Sequence, residues 1–577
     1  MAKRSCSDSL SPRKKSRLEH PLSIGNVASP EAAAAVDADP PLKKLLRSLE
    51  NVTTAPPNSG DAVVYWMRME DMRIYDNRAL AQASVQALKD HVPLLVFFVL
   101  SPQDYAAHDR SPRRVDFTLR NLCVLKGSLA KLDIPLHVTT HASRRTLPSY
   151  VVSFLQSVNA TRLFANIEYE VDELRRDITV CNLANEAGIL PTLVHDKLIV
   201  EPGLLSTKQG KPYSVFSPFQ RQWLAAINKN PNQYLAEAVS PSANPPTVRD
   251  HPILGKMFSS EVPSRVEGFQ CLDKHQMAVI WPAGMDAARE MLRRFLRTKS
   301  RHTQSGLADP LGEGAETSEK KSRAMAYKDD RDRADRDSTS RLSPYLAAGV
   351  ISSRECIRAA LELVGATKVH TNRDTGIGMW IQEIAWRDFY THVLAAFPRV
   401  SMGRPFQEKY ADVQWETNPE HFEAWRTGRT GVPIVDAAIR QANTMGWMHN
   451  RARMVAAMYL TKDLMIDWRL GERVSLHAAI IDGDLASNNG GWQWSASTGT
   501  DPQPYFRIFN PYSQSEKADP NGDYIRTFVP ELGTVFGPEI HNPPAKLADK
   551  LGYPRPLVDH KEARDRALRR YKNPGSK

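Results

Sequence analysis

The sequence predicts an α/β chain built in two parts, a parallel-sheet domain followed by an all-helical one. Three observations carry this. Short apolar runs recur early, at Ala62-Val63-Val64-Tyr65-Trp66, Pro93 to Leu100, Leu136-His137-Val138 and Arg162-Leu163-Phe164-Ala165. Amphipathic stretches such as Val115 to Leu132 lie between them, and strands alternating with helices pair in parallel through crossovers. Past Trp281 the apolar residues fall at helical spacing, in Met285 to Leu296, Pro344 to Leu363, Met379 to Ala396 and Pro433 to Leu464.

A chain of 577 residues is too long for one core, so several domains are expected. The α/β domain is placed at 58–195, a Pro-rich irregular linker at 196–279, the helical domain at 280–562 and a short tail at 563–577. Charged Thr303 to Arg336 reads as a partly mobile surface loop. Residues 1–57, rich in Ser, Pro and Ala, read as a disordered tail. Within it, Lys3-Arg4 and Arg13-Lys14-Lys15-Ser16-Arg17 fit a two-part nuclear import signal, and Asp8 and Glu19 speak against a mitochondrial presequence. The expected compartment is the nucleus, with the mitochondrion second.

The hydrophobic share of 41% is ordinary for a soluble protein, and the run Val92 to Leu100 is too short to span a bilayer. Cys6, Cys123, Cys181, Cys271 and Cys356 are scattered, so they form neither a metal-ligand cluster nor a disulfide framework. A formal net charge of +11 points to a polyanionic partner such as nucleic acid. No G-x-G-x-x-G follows a strand, so a dinucleotide site of that type is not supported.

The richest stretch is Asp482 to Thr500. It holds two carboxylates (Asp482, Asp484), an amide pair (Asn488-Asn489), a Gly490-Gly491 pair that reads as a hinge, and Trp492 and Trp494. Carboxylates, amides and indoles together suit a planar, hydrogen-bonding ligand with ribose hydroxyls. Alone, such a window is as often a buried aromatic corner.

The rest of the chain decides between these. Trp66-Met67-Arg68 through Asp71, Arg73 and Asp76-Asn77-Arg78-Ala79-Leu80 resembles the opening of the photolyase/cryptochrome family. Trp281-Pro282-Ala283-Gly284, Thr339-Ser340-Arg341-Leu342-Ser343, Trp380 through Tyr390 and Gly446-Trp447-Met448-His449-Asn450-Arg451 match the same family in order. The resemblance spans about 60 to 560 and is nearest to class I cyclobutane pyrimidine dimer photolyases of fungal type. It implies a Rossmann-like antenna domain, an all-helical FAD-binding domain, and blue-light electron transfer that splits a dimer flipped out of UV-damaged DNA; photolyases are themselves a standard example of base flipping. No membrane partner is implied, and a monomer is expected.

The resemblance also assigns roles. Thr339, Ser340, Arg341, Leu342 and Ser343, with Tyr327, are expected at the cofactor's phosphates, where hydroxyls and N–H groups before a helix suit an anion. Trp380, Arg387, Asp482, Gly483 and Asp484 line the flavin side, and Arg453 pairs with the first carboxylate. Asn488 faces the flavin N5 and hydrogen-bonds there without adding a charge. Trp386 and Trp494 sandwich the flipped dimer, Glu383 hydrogen-bonds a thymine edge, and Met454, Asn450 and Tyr390 complete the pocket. Arg331, Arg451 and Gln514 contact DNA, and Trp492, Trp468 and Trp415 relay electrons to oxidised flavin. His108, Asp172 and Glu173 match the antenna site for methenyltetrahydrofolate. Asp172 replaces the usual Asn there, and Ser401-Met402-Gly403 occupies the place of the family's lysine, which leaves a deazaflavin as the alternative.

Two other functions fit the same motifs: a light-signalling cryptochrome, alone or alongside repair, and a (6-4) photoproduct enzyme. The latter branch carries a histidine pair after Gly-Trp-Met-His, where this chain has Asn450-Arg451-Ala452-Arg453-Met454.

Overall fold

Five strands, β1 (Ala62–Met67), β2 (Leu94–Leu100), β3 (Leu136–Thr140), β4 (Ala160–Asn166) and β5 (Leu190–Val194), form one sheet in the order β3-β2-β1-β4-β5. Every pairing is parallel. The computed structural model describes residues 24, 27–50, 60–301, 311, 315–474, 480–501 and 504–575. The basic clusters of residues 3–17 lie outside them, as does Cys6.

The central strand β1 is buried along its whole length, which is why it reads as an unbroken apolar run and not as an alternation. Strand order reverses between β1 and β4. In open parallel sheets the crevice at such a switch point, beyond the strands' carboxyl ends, is where polar groups gather. Here Glu70 follows β1, Glu168 and Glu170 follow β4, and Lys197 follows β5. Gly349 of the helical domain packs onto this edge. A Cβ there would sit 1.9 Å from the Glu70 carbonyl oxygen, and its φ of 63° is left-handed, so only glycine fits.

Several segments differ from the sequence expectation. Pro30–Ala38 and Pro41–Glu50 are helices, not part of a disordered tail. The alanines of the first favour helix, and in the second Leu42 and Leu45 bury a stripe against helix Val171–Glu186. The segment expected to be a linker begins with buried Asp196 and Lys197 and contains the helix Phe216–Lys229, whose Trp223 is wholly buried. Trp223 Nε1 donates to Asp388 at 2.9 Å, so the helical domain holds this segment in place. Within the expected loop, Arg323–Asp330 is a helix that buries Tyr327. Helix His560–Lys572 takes in most of the expected tail and buries Tyr571.

The helical expectations hold with breaks at glycine. Ser343–Ala347 and Ser353–Val364 are separated at Gly349, and Pro433–Met445 and Asn450–Met458 are separated at Gly446, whose φ is 67°. Among the described residues, no helix is long and apolar enough to cross a membrane.

Candidate active site: a cavity in the helical domain

Helix Gly376–Ala396 forms one wall. Thr375 caps it by accepting from the Gly378 N–H at 3.1 Å, and it stops at Phe397, before Pro398. Trp380, Glu383, Trp386, Arg387 and Tyr390 all line the same cavity of about 620 Å³, so the helical spacing read in the sequence is a real face.

Helix Leu485–Ser495 forms the facing wall. Asp484 caps it, accepting from the Ser487 N–H at 3.2 Å. Gly490-Gly491 is therefore not a hinge but lies inside a helix. A Cβ at Gly490 would strike the Tyr390 ring at 2.2 Å, so glycine lets the two walls close. A Cβ at Gly491 would meet nothing within 4 Å, which leaves the cavity open there. Asn488, Trp492 and Trp494 line this wall together with Asp482, Gly483 and Asp484.

The first carboxylate is paired as expected: Arg453 Nη2 lies 3.1 Å from Asp482 Oδ2. Asp482 also accepts from the Ser343 hydroxyl at 2.8 Å. The Thr339–Ser343 pentapeptide divides. Ser340 and Ser343 line the cavity with Tyr327, while Leu342 is buried and Arg341 turns to Asp337 at 3.1 Å, beneath the Trp447 ring. Thr339 is not on the wall. The helix that follows is a single turn, so the cavity's anion donors are hydroxyls and arginines more than a helix end.

At the rim, Arg331 Nη1 pairs with Glu383 Oε1 at 2.5 Å. The pocket walls push the Glu383 carboxyl up, and Arg331 opposes them. Arg451 reaches Asp332 at 2.7 Å, outside the cavity wall, while Asn450 and Met454 sit on it. Gln514 is not on the wall either. Trp386 stacks on Phe216 with ring centroids 3.5 Å apart, and Trp494 meets Phe509 at 6.2 Å, so both indoles are braced from behind. The Trp492 ring presses on Gly471, in the helix Trp468–Val474 that begins with buried Trp468. Trp415 is half-buried, edge-on to Tyr571 at 6.2 Å. Trp492 also meets Trp425 at 6.0 Å, a contact the sequence did not suggest.

The sequence reading missed Gln382, Arg373 and Ser487 on the wall. Gln382 and Ser487 fall within motifs already singled out, and helix periodicity would have exposed Gln382. Arg373 comes from the turn before its helix and carries no periodic signal.

In the sheet domain, His108 Nε2 lies 3.1 Å from Glu173 Oε1, and Arg144 Nη2 lies 2.5 Å from Asp172 Oδ2. The three expected antenna residues thus come together, with Asp104 and Arg144 added. Burial works against the charged imidazole, but Glu173 and Asp104 outweigh it and push His108 up to about 9. Ligand atoms of Asp104, His108 and Glu173 lie within 4.8 Å of one another, but Arg144 and the protonated His108 already balance their charge.

A parallel-sheet domain packed on a helical domain, with a deep cavity walled by acids, an amide and indoles, defines a two-domain protein that binds a large planar cofactor. Two family models match: "DNA photolyase" over residues 63–240 and "FAD binding domain of DNA photolyase" over residues 380–573. The chain is 43% identical over 530 residues to the deoxyribodipyrimidine photo-lyase of Neurospora crassa, covering 89% of this chain and 81% of that one. It is 36% identical over 549 residues to the mitochondrial deoxyribodipyrimidine photo-lyase of Saccharomyces cerevisiae, covering 92% and 88%. A class III photolyase structure from Agrobacterium tumefaciens aligns with a TM-score of 0.71 at 29% identity, covering 90% of this chain and 99% of that one. The chain belongs to the DNA photolyase family.

Proposed function

We propose that this protein is a light-driven DNA repair enzyme that splits cyclobutane pyrimidine dimers with FAD. One observation carries the reading. A single cavity of about 620 Å³ joins the carboxylate–amide wall of Asp482, Asp484 and Asn488 to the indole pair Trp386 and Trp494 and to Glu383. A repair site needs a place for a cofactor and a place for an extruded base pair in one connected space, and such a volume falls in the range of ligand sites.

The chain's own residues fit the flavin nucleotide. Asp484 Oδ2 is buried without a hydrogen bond, an acceptor that a ligand N–H or hydroxyl would satisfy. Ser340, Ser343, Arg387 and Arg453 supply donors suited to phosphates, and Gly491 leaves room. When bound, FAD supplies the light-driven electron. The protein orients it, keeps water out and holds Asn488 as a neutral amide: Asn488 Nδ2 donates to the Glu472 carbonyl at 3.4 Å, which leaves its oxygen as the free acceptor. Glu383 hydrogen-bonds the lesion's edge, where a preorganised polar group in a dry site steadies developing charge. Arg331, Arg451 and Gln514 meet DNA. The antenna reading remains folate at His108, Asp172 and Glu173, with a deazaflavin second. The protein acts as a monomer in the nucleus, with the mitochondrion second in view of the yeast relative's name.

The test is a dimer-containing oligonucleotide mixed with purified protein. Flavin absorbance, and repair under near-ultraviolet or blue light but not in darkness, are the expected results. Equal repair in the dark sinks the reading.

A further inference from the structure

Lys197 lies just beyond β5 and is buried at the seam between the two domains. Its Nζ lies 2.6 Å from Glu70 Oε2, at the sheet edge, and 3.3 Å from Asp484 Oδ2, in the cavity wall. Its backbone oxygen accepts from Arg387 Nη1 at 2.8 Å, so the pocket helix fixes it from the other side. Asp484 divides its two oxygens. Oδ1 caps the helix that carries Asn488 in its first turn, and Oδ2 has no hydrogen bond of its own.

We propose that Lys197 is a positioning residue of the cofactor pocket: it keeps Asp484 ionised, so that one oxygen caps the Asn488 helix while the other faces the bound flavin nucleotide. The inference rests on the flavin reading of this cavity. It gives the sheet domain a direct part in the active site, through a residue in a segment that carries no motif.

The charges facing Asp484 come from four directions. Arg387, on helix Gly376–Ala396, lies 3.8 Å from Oδ2. From the sheet domain, Arg110 is directed at the Gly483 carbonyl and at Glu70, each at 3.5 Å. Arg114 is spent on carbonyls, among them Ala347 at 2.8 Å and Met69 at 3.1 Å. Neighbouring Asp482 is paired with Arg453. At the sheet edge Glu170 is pushed up to about 8, by burial first and by Glu70 next, so it adds little negative charge at neutral pH. Lys197 is thus the nearest cation to Asp484. Burial would raise the Asp484 carboxyl, but Lys197 and then Arg387 hold it well below the usual carboxylate range. Without the ammonium, a carboxylate this deep neutralises by taking up a proton. A protonated acid caps a helix less well, and Asn488 loses its fixed place.

The test measures FAD affinity of apoprotein by fluorescence titration between pH 5 and 8, for the wild type and for Lys197→Met. The ratio of variant to wild-type affinity should fall toward acid, by up to about tenfold per pH unit, because Asp484 titrates only in the variant. Lys197→Arg should restore a flat ratio, and Lys197→Met combined with Asp484→Asn should be flat and low. Lys197→Gln should repeat the Lys197→Met profile and serves if the methionine variant folds poorly. A flat ratio near one in Lys197→Met or Lys197→Gln overturns the proposal while the flavin reading stands. Wild-type apoprotein that takes up no FAD at any pH removes the flavin reading, and the proposal with it.

Discussion

The cavity of the helical domain and the charge cluster beside the sheet use the same residue types around spaces of very different size. In the cavity, Asp484 Oδ2 is buried without a hydrogen bond, and hydroxyls and arginines face about 620 Å³ of open space. Beside the sheet, Asp104, Asp172, Glu173 and His108 converge on Arg144 and on one another, against a hollow of only about 240 Å³. Lys197 and Arg387 balance the charge of Asp484, and the hydrogen bond that its Oδ2 lacks, with open space beside it, suits a ligand. The second site is knit by ion pairs that a ligand would have to displace, although Glu173 Oε2 there is also buried without a hydrogen bond.

The largest effect is expected at the cavity wall. Trp492→Phe should abolish photoreduction of oxidised flavin yet spare repair once the flavin is reduced chemically. Trp425→Phe should leave photoreduction intact, although Trp425 touches the same indole. Transient absorption distinguishes them, and normal photoreduction in Trp492→Phe removes Trp492 from the relay.

Asp482→Ala comes next. It strands Arg453 and frees the Ser343 hydroxyl. Because Arg453 is 31% exposed, the cost should be nearer about 2 kcal/mol than the full penalty of a buried pair. Loss of bound FAD on gel filtration checks it. Full retention would show that the acid is not part of the cofactor wall.

Glu383→Ala should lower the yield of splitting per bound lesion, since a hydrogen bond to a charged species is worth about 1.5–3 kcal/mol. Its FAD content should stay near wild type. Arg451→Ala should show the reverse pattern, a weaker DNA affinity with a shallower salt dependence and a yield per bound lesion little changed. Single-turnover repair at saturating DNA separates yield from affinity.

The last effect belongs to the ion-paired cluster beside the sheet and is one of stability, not of activity. His108 is raised to about 9, so its contribution is complete below the unfolded value near 6.5 and is lost as pH rises through 9. The contribution should be about 3 kcal/mol, and His108→Gln should flatten that part of the melting-temperature profile between pH 6.5 and 9. An unchanged profile would mean that the imidazole is neutral and the cluster is less balanced than its geometry implies.

The strands were legible because burial on both faces forces continuous apolar runs, as in Val63 to Met67. The wall of Trp380 to Tyr390 was legible because one helical face imposes its own spacing. Asp482 and Asp484, bracketed by aromatics and amides, could be named as ligand-facing from composition and from family resemblance together. β5 and the helix Phe216–Lys229 were not legible: Leu190–Val194 is short and begins a Pro-rich stretch, which hides a strand in what reads as loop.

What the sequence by itself determined is the residue chemistry and its local period: which positions are apolar, which face of a helix they share, and which acids and amides lie close along the chain. Only the tertiary structure decided which charges meet. Lys197 and Asp484 stand far apart in the chain, and their pairing depends on two domains closing over one another at Gly349, while Arg331 meets Glu383 because helices Arg323–Asp330 and Gly376–Ala396 pack together within the helical domain. A carboxylate's charge state depends on the nearest few ångströms of space, and no local pattern encodes that distance.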